Sequence, residues 1–178
     1  LPAFFFFFSE QTGLMRGVAA HKALSLLTYA GLRDAGEDRN ALEAEVRRQL
    51  DALAVRRLFT PEERERVDVA SVAGFFADPC GRRALSASQV RREWSFNLLL
   101  PERGGLIAQG VVDLCYVVDG TWELVDYKTD RVEDPAKLWA LYGEQLELYR
   151  RALREATGLT VRGATLFSLA LGRGDTRQ

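Results

Sequence analysis

Lysine is nearly absent from this 178-residue sequence. Of 24 basic residues only Lys22, Lys128 and Lys137 are lysines, and the rest are arginines. There is one histidine, His21. An excess of charge of either sign is also missing, since the formal net charge is −1. That excludes a broad basic field drawing nucleic acid to the whole molecule, so any affinity for phosphates must be local. The two cysteines, Cys80 and Cys115, are too few for a disulfide framework, a four-thiolate zinc site or an iron–sulfur cluster. They fit a reducing compartment. No apolar run is long enough to span a bilayer, which predicts a cytoplasmic protein with no membrane partner. The start has neither the basic region nor the cleavage site of a signal peptide, and no initiator Met. It reads as a domain excised from a longer polypeptide. The Phe4–Phe8 run is then a connecting segment, or an artefact of how the fragment was cut.

What remains is an ordinary globular balance, with 47% hydrophobic and 28% charged residues. The length suits one domain with a single sizeable core. Arginines fall in five adjacent pairs: Arg47-Arg48, Arg56-Arg57, Arg82-Arg83, Arg91-Arg92 and Arg150-Arg151. They are either solvated surface charge from a compositional bias or phosphate contacts lining a groove. Against this background the lysine at 128 stands out.

Apolar periodicity predicts a helix over about 12–30, with Thr12 a possible cap, and another over 41–53. Residues 33–40 read as a polar loop. Thr60-Pro61-Glu62-Glu63 is a strong helix start, and that helix should run to about Ala77. Residues 89–100 and 106–118 have the texture of strands. Asp119-Gly120 predicts a hairpin turn, because such turns need positive φ at both central positions. Residues 121–128 return as the partner strand. A long helix should open at Pro135 and close at Gly158, before a last strand over 160–171. The expected class is α/β: a three-strand meander, a helical crossover and a further strand, flanked by helices. The chain divides into a linker-like stretch at 1–11, a mainly helical region at 12–88, a catalytic core at 89–171 and a tail at 172–178.

One hairpin gathers the chemistry. Asp126 and Lys128 stand at i and i+2 on a strand and so emerge on one face. The turn folds Asp113 back beside Asp126, on strands only about 5 Å apart. Two carboxylates and an ammonium in an apolar sheet are costly. A divalent cation such as Mg²⁺ or Mn²⁺ supplies a reason, because it takes oxygen ligands from one or two carboxylates. Lys128 would orient or deprotonate a metal-polarised water, or neutralise charge on phosphorus oxygens. Arginine cannot deprotonate in proteins, whereas a lysine is tunable. The competing reading is an ordinary Asp126–Lys128 salt bridge with Asp113 flanking a turn.

Four blocks in order carry a resemblance: Arg16-Gly17-Val18-Ala19-Ala20-His21, Gly110-Val111-Val112-Asp113, Val125-Asp126-Tyr127-Lys128-Thr129-Asp130 and Gln145-Leu146-Glu147-Leu148-Tyr149. Together they resemble the signature of RecB-type PD-(D/E)XK nucleases, most of all the C-terminal nuclease domain of UvrD/Rep-like (AddA/RecB) helicase–nucleases. The resemblance implies a restriction-endonuclease-like core that cuts DNA with Mg²⁺ or Mn²⁺ in a bacterial cytoplasm. It implies metal ligands Asp113, Asp126, the Tyr127 carbonyl and His21, a catalytic Lys128, and Gln145 and Tyr149 orienting Lys128 and the scissile phosphate. The implied partners are single-stranded DNA, a helicase region of the same polypeptide and a second helicase–nuclease subunit. The alternative is a catalytically silent nuclease fold used for DNA binding or docking. Read without the resemblance, His21 is a satisfied core histidine, and Gln145 and Tyr149 are helix packing. Glu93 is either a residue supporting the site or an exposed strand Glu. Trp139 and Tyr142 either stack on bases or are buried. Residues 41–88 carry no recognisable chemistry; they form a wall of a DNA channel or face the helicase.

Overall fold

A computed structural model of the protein describes residues 14–178, with side chains from residue 17 onward. The stretch at 1–11, the Phe4–Phe8 run and the proposed Thr12 cap lie outside the described residues. Among the described residues six helices come first: α1 (Leu14–Leu26), α2 (Tyr29–Asp34), α3 (Arg39–Val55), α4 (Pro61–Arg66), α5 (Val69–Ala77) and α6 (Pro79–Ser86). Then follow β1 (Gln89–Leu100), β2 (Leu106–Val118), β3 (Thr121–Lys128), α7 (Trp139–Thr157), β4 (Val161–Ser168) and β5 (Arg173–Arg177).

The order across the sheet is β1-β2-β3-β4-β5. β1, β2 and β3 form an antiparallel meander, and β4 joins β3 in parallel after the α7 crossover. This is the expected mixed α/β sheet. The turn carries positive φ at both Asp119 and Gly120, as its sequence predicts. A single 3-10 turn at Pro135–Leu138 precedes α7, where the sequence predicts one continuous helix.

Three further expectations need correction. The helix over 12–30 is two helices with a break at Thr28. There the buried Gln49 side chain accepts from the Thr28 N–H (2.7 Å) and donates to its carbonyl (3.0 Å). A tertiary contact thus replaces the helical hydrogen bonds, and no local pattern reveals it. The helix over 61–77 is also two. Val67 is extended and buried, and Asp68 caps α5 by accepting from Ala70 N and Ser71 N. The tail at 172–178 contains β5, which pairs antiparallel with β4.

The sheet separates two cores. One face packs under α1–α6, with Phe75, Phe76, Leu114, Tyr116, Tyr127 and Phe167. The other packs against α7, with Phe96, Val112, Trp122, Leu124, Leu146 and Leu166. Each fully buried large side chain contributes about 1.5–3 kcal/mol. Among the described residues, no helix is long and apolar enough to cross a membrane.

Buried Glu123 on β3 is held by Arg83 (2.9 Å), Arg162 (2.6 Å) and the Tyr116 hydroxyl (2.9 Å). Burial works against its charge, but these three donors outweigh it and hold the carboxyl below its usual range. The network fixes the turn end of the β2–β3 hairpin, three residues before Asp126.

The β1–β2 ribbon changes face partway along. Val90 packs with the α1–α6 core, whereas Trp94, Phe96 and Leu98 pack against α7. All four positions are even, so strict alternation would keep them on one side. On β2, Leu114 and Val112 split in the same way. The register does not slip across this point: Arg92 faces Leu114, and Trp94 faces Val112. Glu93 and Asp113 therefore stand opposite one another at the switch. Glu93 has φ 50, a left-handed backbone that L side chains adopt at a cost.

Candidate active site

Four elements converge where the ribbon changes face. Asp113 comes from β2, and Asp126 and Lys128 from β3. His21 comes from α1, and Gln145 and Tyr149 from α7. Signature glycines permit the close packing. A Cβ at Gly17 would come within 3.2 Å of Thr129 Oγ1, and one at Gly110 within 2.7 Å of the Phe96 ring.

Asp113 Oδ2 accepts from the Tyr127 N–H at 2.8 Å, which locks the two strands beside Asp126. His21 lies between its neighbours: Nδ1 is 3.4 Å from Asp113 Oδ1, and Nε2 is 3.1 Å from the Tyr127 carbonyl oxygen. Burial opposes a charge on this imidazole, but the Asp113 carboxylate outweighs it and raises the pKa to about 9. Without a metal, an imidazolium therefore occupies the space among these oxygens at neutral pH.

Asp126 is 3% exposed. Burial, and then the charge of Asp113, push its carboxyl up to about 6, against the pull of Lys128 and His21. Lys128 Nζ approaches Asp126 Oδ2 to 2.8 Å, but as an ion contact rather than an aligned hydrogen bond. Among the described residues, no well-aligned donor satisfies that buried oxygen. On its other side Lys128 Nζ donates to Gln145 Oε1 at 3.2 Å, and Gln145 Nε2 donates to the Tyr149 hydroxyl at 2.6 Å.

Glu93 joins this group. One ligand atom each from His21, Glu93 and Asp113 lie within 4.8 Å of one another. Burial and the Asp113 charge push the Glu93 carboxyl upward. Its side chain is exposed, yet it is aimed at the site by its left-handed backbone. The exposed strand position matches one of the two readings of Glu93, and its place beside Asp113 matches the other, while the change of face leaves apolar alternation intact on both sides. The remaining signal, a Glu directly before Trp94-Ser95-Phe96, is weak alone.

The residues fit a hard divalent cation. The donor set is carboxylate oxygens, one carbonyl and one imidazole. The buried Asp126 oxygen has no well-aligned donor among the described residues, and positive charge already collects around the acid pair, from Lys128 at Asp126 and His21 at Asp113. Trp139 is buried, with Arg177 over its ring at 4.6 Å. Tyr142 is half-buried over Lys128, 3.7 Å from Nζ to ring centroid.

The backbone strain and the facing carboxylates make a measurable expectation. Glu93→Gly should raise the stability of the metal-free protein by about 1 kcal/mol, since left-handed non-glycine residues cost about 1–3 kcal/mol and Gly adds unfolded-state entropy. Chemical denaturation in EDTA measures it. A loss of stability would mean that the Glu93–His21 attraction exceeds the strain.

A mixed sheet with an acidic pair and a lysine on adjacent strands is the core arrangement that the sequence predicts for a nuclease fold. The chain belongs to the PD-(D/E)XK nuclease superfamily, whose sequence profile matches residues 8–176. It is 33% identical, over 91% of its length, to an ATP-dependent helicase/nuclease subunit of Heliobacterium modesticaldum. It is 32% identical over 96% to the corresponding protein of Carboxydothermus hydrogenoformans, and 35% over 88% to that of Desulforudis audaxviator. The chain spans only 12%, 15% and 13% of those relatives' lengths.

Proposed function

We propose that this chain hydrolyses phosphodiester bonds of DNA as the nuclease part of a helicase–nuclease acting in double-strand-break repair and recombination. The observation that carries the reading is the convergence of Asp113, buried Asp126 and Lys128 beside His21 and the Tyr127 carbonyl. Asp113, Asp126, the Tyr127 carbonyl and His21 would hold Mg²⁺ or Mn²⁺, with Glu93 adjoining them. When bound, the ion would supply Lewis acidity toward the phosphodiester and lower the pKa of a bound water. Lys128 sets its ammonium against charge that builds on the phosphorus oxygens. Gln145 holds Nζ in place, and Tyr149 holds Gln145. A silent nuclease fold would have no use for this acid pair and lysine.

The relatives' names, which join helicase and nuclease in one subunit, support a helicase region on the same polypeptide and a partnership with a second helicase–nuclease subunit; a bacterial cytoplasmic setting is part of the same reading. Single strands are the preferred substrate on this reading. A net charge of −1 gives the domain little field of its own, and a translocating helicase would raise the local concentration of strand at the site. The expected result is slow, Mn²⁺-dependent cleavage of labelled single-stranded DNA by this chain, with weak, salt-sensitive binding and little action on blunt duplex. Tight duplex binding with fast ATP-independent digestion would contradict the dependence on a helicase.

A further inference from the structure

We propose that Tyr142 is a positioning residue that holds the Lys128 ammonium in its working place. The inference rests on the nuclease reading and deepens it. An ammonium has three N–H bonds and no acceptor, and three neighbours surround this one. Gln145 Oε1 accepts at 3.2 Å, Asp126 Oδ2 lies at 2.8 Å, and the Tyr142 ring centroid lies at 3.7 Å. Cation–π attraction acts out to about 6 Å, so the ring is in close contact. The Lys128 side chain is 14% exposed, and desolvation strengthens such an attraction.

The ring is itself braced. The Tyr142 hydroxyl donates to Asp130 Oδ1 at 3.0 Å, with Oδ2 at 3.2 Å. Asp130 lies two residues beyond Lys128, in the segment leaving β3. A closed circuit results, from the Lys128 backbone to Asp130, across to α7 through Tyr142, and back to Nζ through the ring. Tyr142 and Gln145 stand at i and i+3 on α7 and so share a face. One helix thus presents both a π face and an oxygen acceptor to the same ammonium.

The three neighbours differ in what chemistry demands of them. Asp126 is a candidate cation ligand, and its contact with Lys128 is an ion contact rather than an aligned hydrogen bond, so it would orient Nζ only weakly. Tyr142 and Gln145 have no such competing duty. They would keep Nζ fixed with one N–H directed at the substrate. A four-carbon side chain without them would spread over several rotamers and lose the oriented donor.

The test compares Tyr142→Leu, which keeps apolar volume without the π face, with Tyr142→Phe, which keeps the ring and loses the Asp130 brace. Cleavage of single-stranded DNA is measured beside Mn²⁺ affinity and the NMR shifts of the Lys128 ε-methylene protons. Wild type and Tyr142→Phe should show those protons shifted upfield by the ring, and Tyr142→Leu should not. In Tyr142→Leu, kcat should fall about 10- to 100-fold, the scale of a misplaced reacting group, with KM and Mn²⁺ affinity unchanged. Tyr142→Phe should lose only a few-fold in kcat, and Asp130→Ala, which removes the acceptor, should lose the same, with the double variant no worse than either single one. Unchanged kcat in Tyr142→Leu, or the absence of a ring shift in wild type, overturns the proposal. The ring shift needs no turnover, so an inactive wild type would sink the nuclease reading while leaving the positioning contact measurable.

Discussion

Asp126→Asn should lower DNA cleavage by about 10³-fold or more, the scale at which losing a fixed electrostatic group slows chemistry, and should at the same time stabilise the metal-free protein. The two effects share a cause. Asp126 is buried beside Asp113, and its carboxyl is pushed up to about 6. A group whose folded pKa exceeds its unfolded value of about 3.9 contributes stability that is present below the unfolded value. That stability is lost as pH rises through about 6. At neutral pH the ionised carboxylate is therefore a standing cost to the metal-free fold. Denaturation in EDTA across pH 4–8 should show a decline in wild type that the Asn variant lacks. Mn²⁺ should stabilise wild type most above pH 6, because the ion takes up the charge that the fold tolerates poorly. Binding should tighten further toward pH 9 as His21 gives up its proton. Equal pH profiles in EDTA for the two proteins would refute this account of Asp126.

Lys128→Ala should also abolish cleavage, by about 10²–10⁴-fold, but with Mn²⁺ affinity retained. The ammonium touches Asp126, Gln145 and Tyr142 rather than packing in either core. Near-UV circular dichroism should stay as in wild type. Lys128→Arg keeps the charge but carries it on a wide planar fork, which does not fit a niche closed by a ring at 3.7 Å. It should fail nearly as badly. Full activity in the Arg variant would reduce Lys128 to a diffuse charge.

Some of this was legible in the sequence for physical reasons. A strand has period two, so Asp126-x-Lys128 fixes a shared face without further information. Asp119-Gly120 fixes the turn, and the turn brings Asp113 beside Asp126. Gln145 and Tyr149 share a face of α7 by their i, i+4 spacing, and only the resemblance ties that face to Lys128. Other features depend on contacts distant in sequence. The break at Thr28 depends on Gln49, a residue 21 positions away. β5 is Arg173-Gly174-Asp175-Thr176-Arg177, with no apolar alternation, and it pairs only because β4 offers an edge. Glu93 enters the site through a left-handed φ that a glutamate does not advertise. Tyr142 lies three residues before Gln145, yet its ring contact with Lys128 needs the register of α7 on the sheet.

The most direct test of the central claim pairs metal occupancy with cleavage in one titration. Mn²⁺ is added to the chain with labelled single-stranded DNA, bound ion is read by electron paramagnetic resonance, and product is read on a gel. The account predicts no cleavage in EDTA, a rate that rises in step with bound Mn²⁺ in wild type, and loss of both tight binding and cleavage in Asp126→Ala. Cleavage that persists in EDTA, or that saturates independently of Mn²⁺ bound at Asp126, would contradict it.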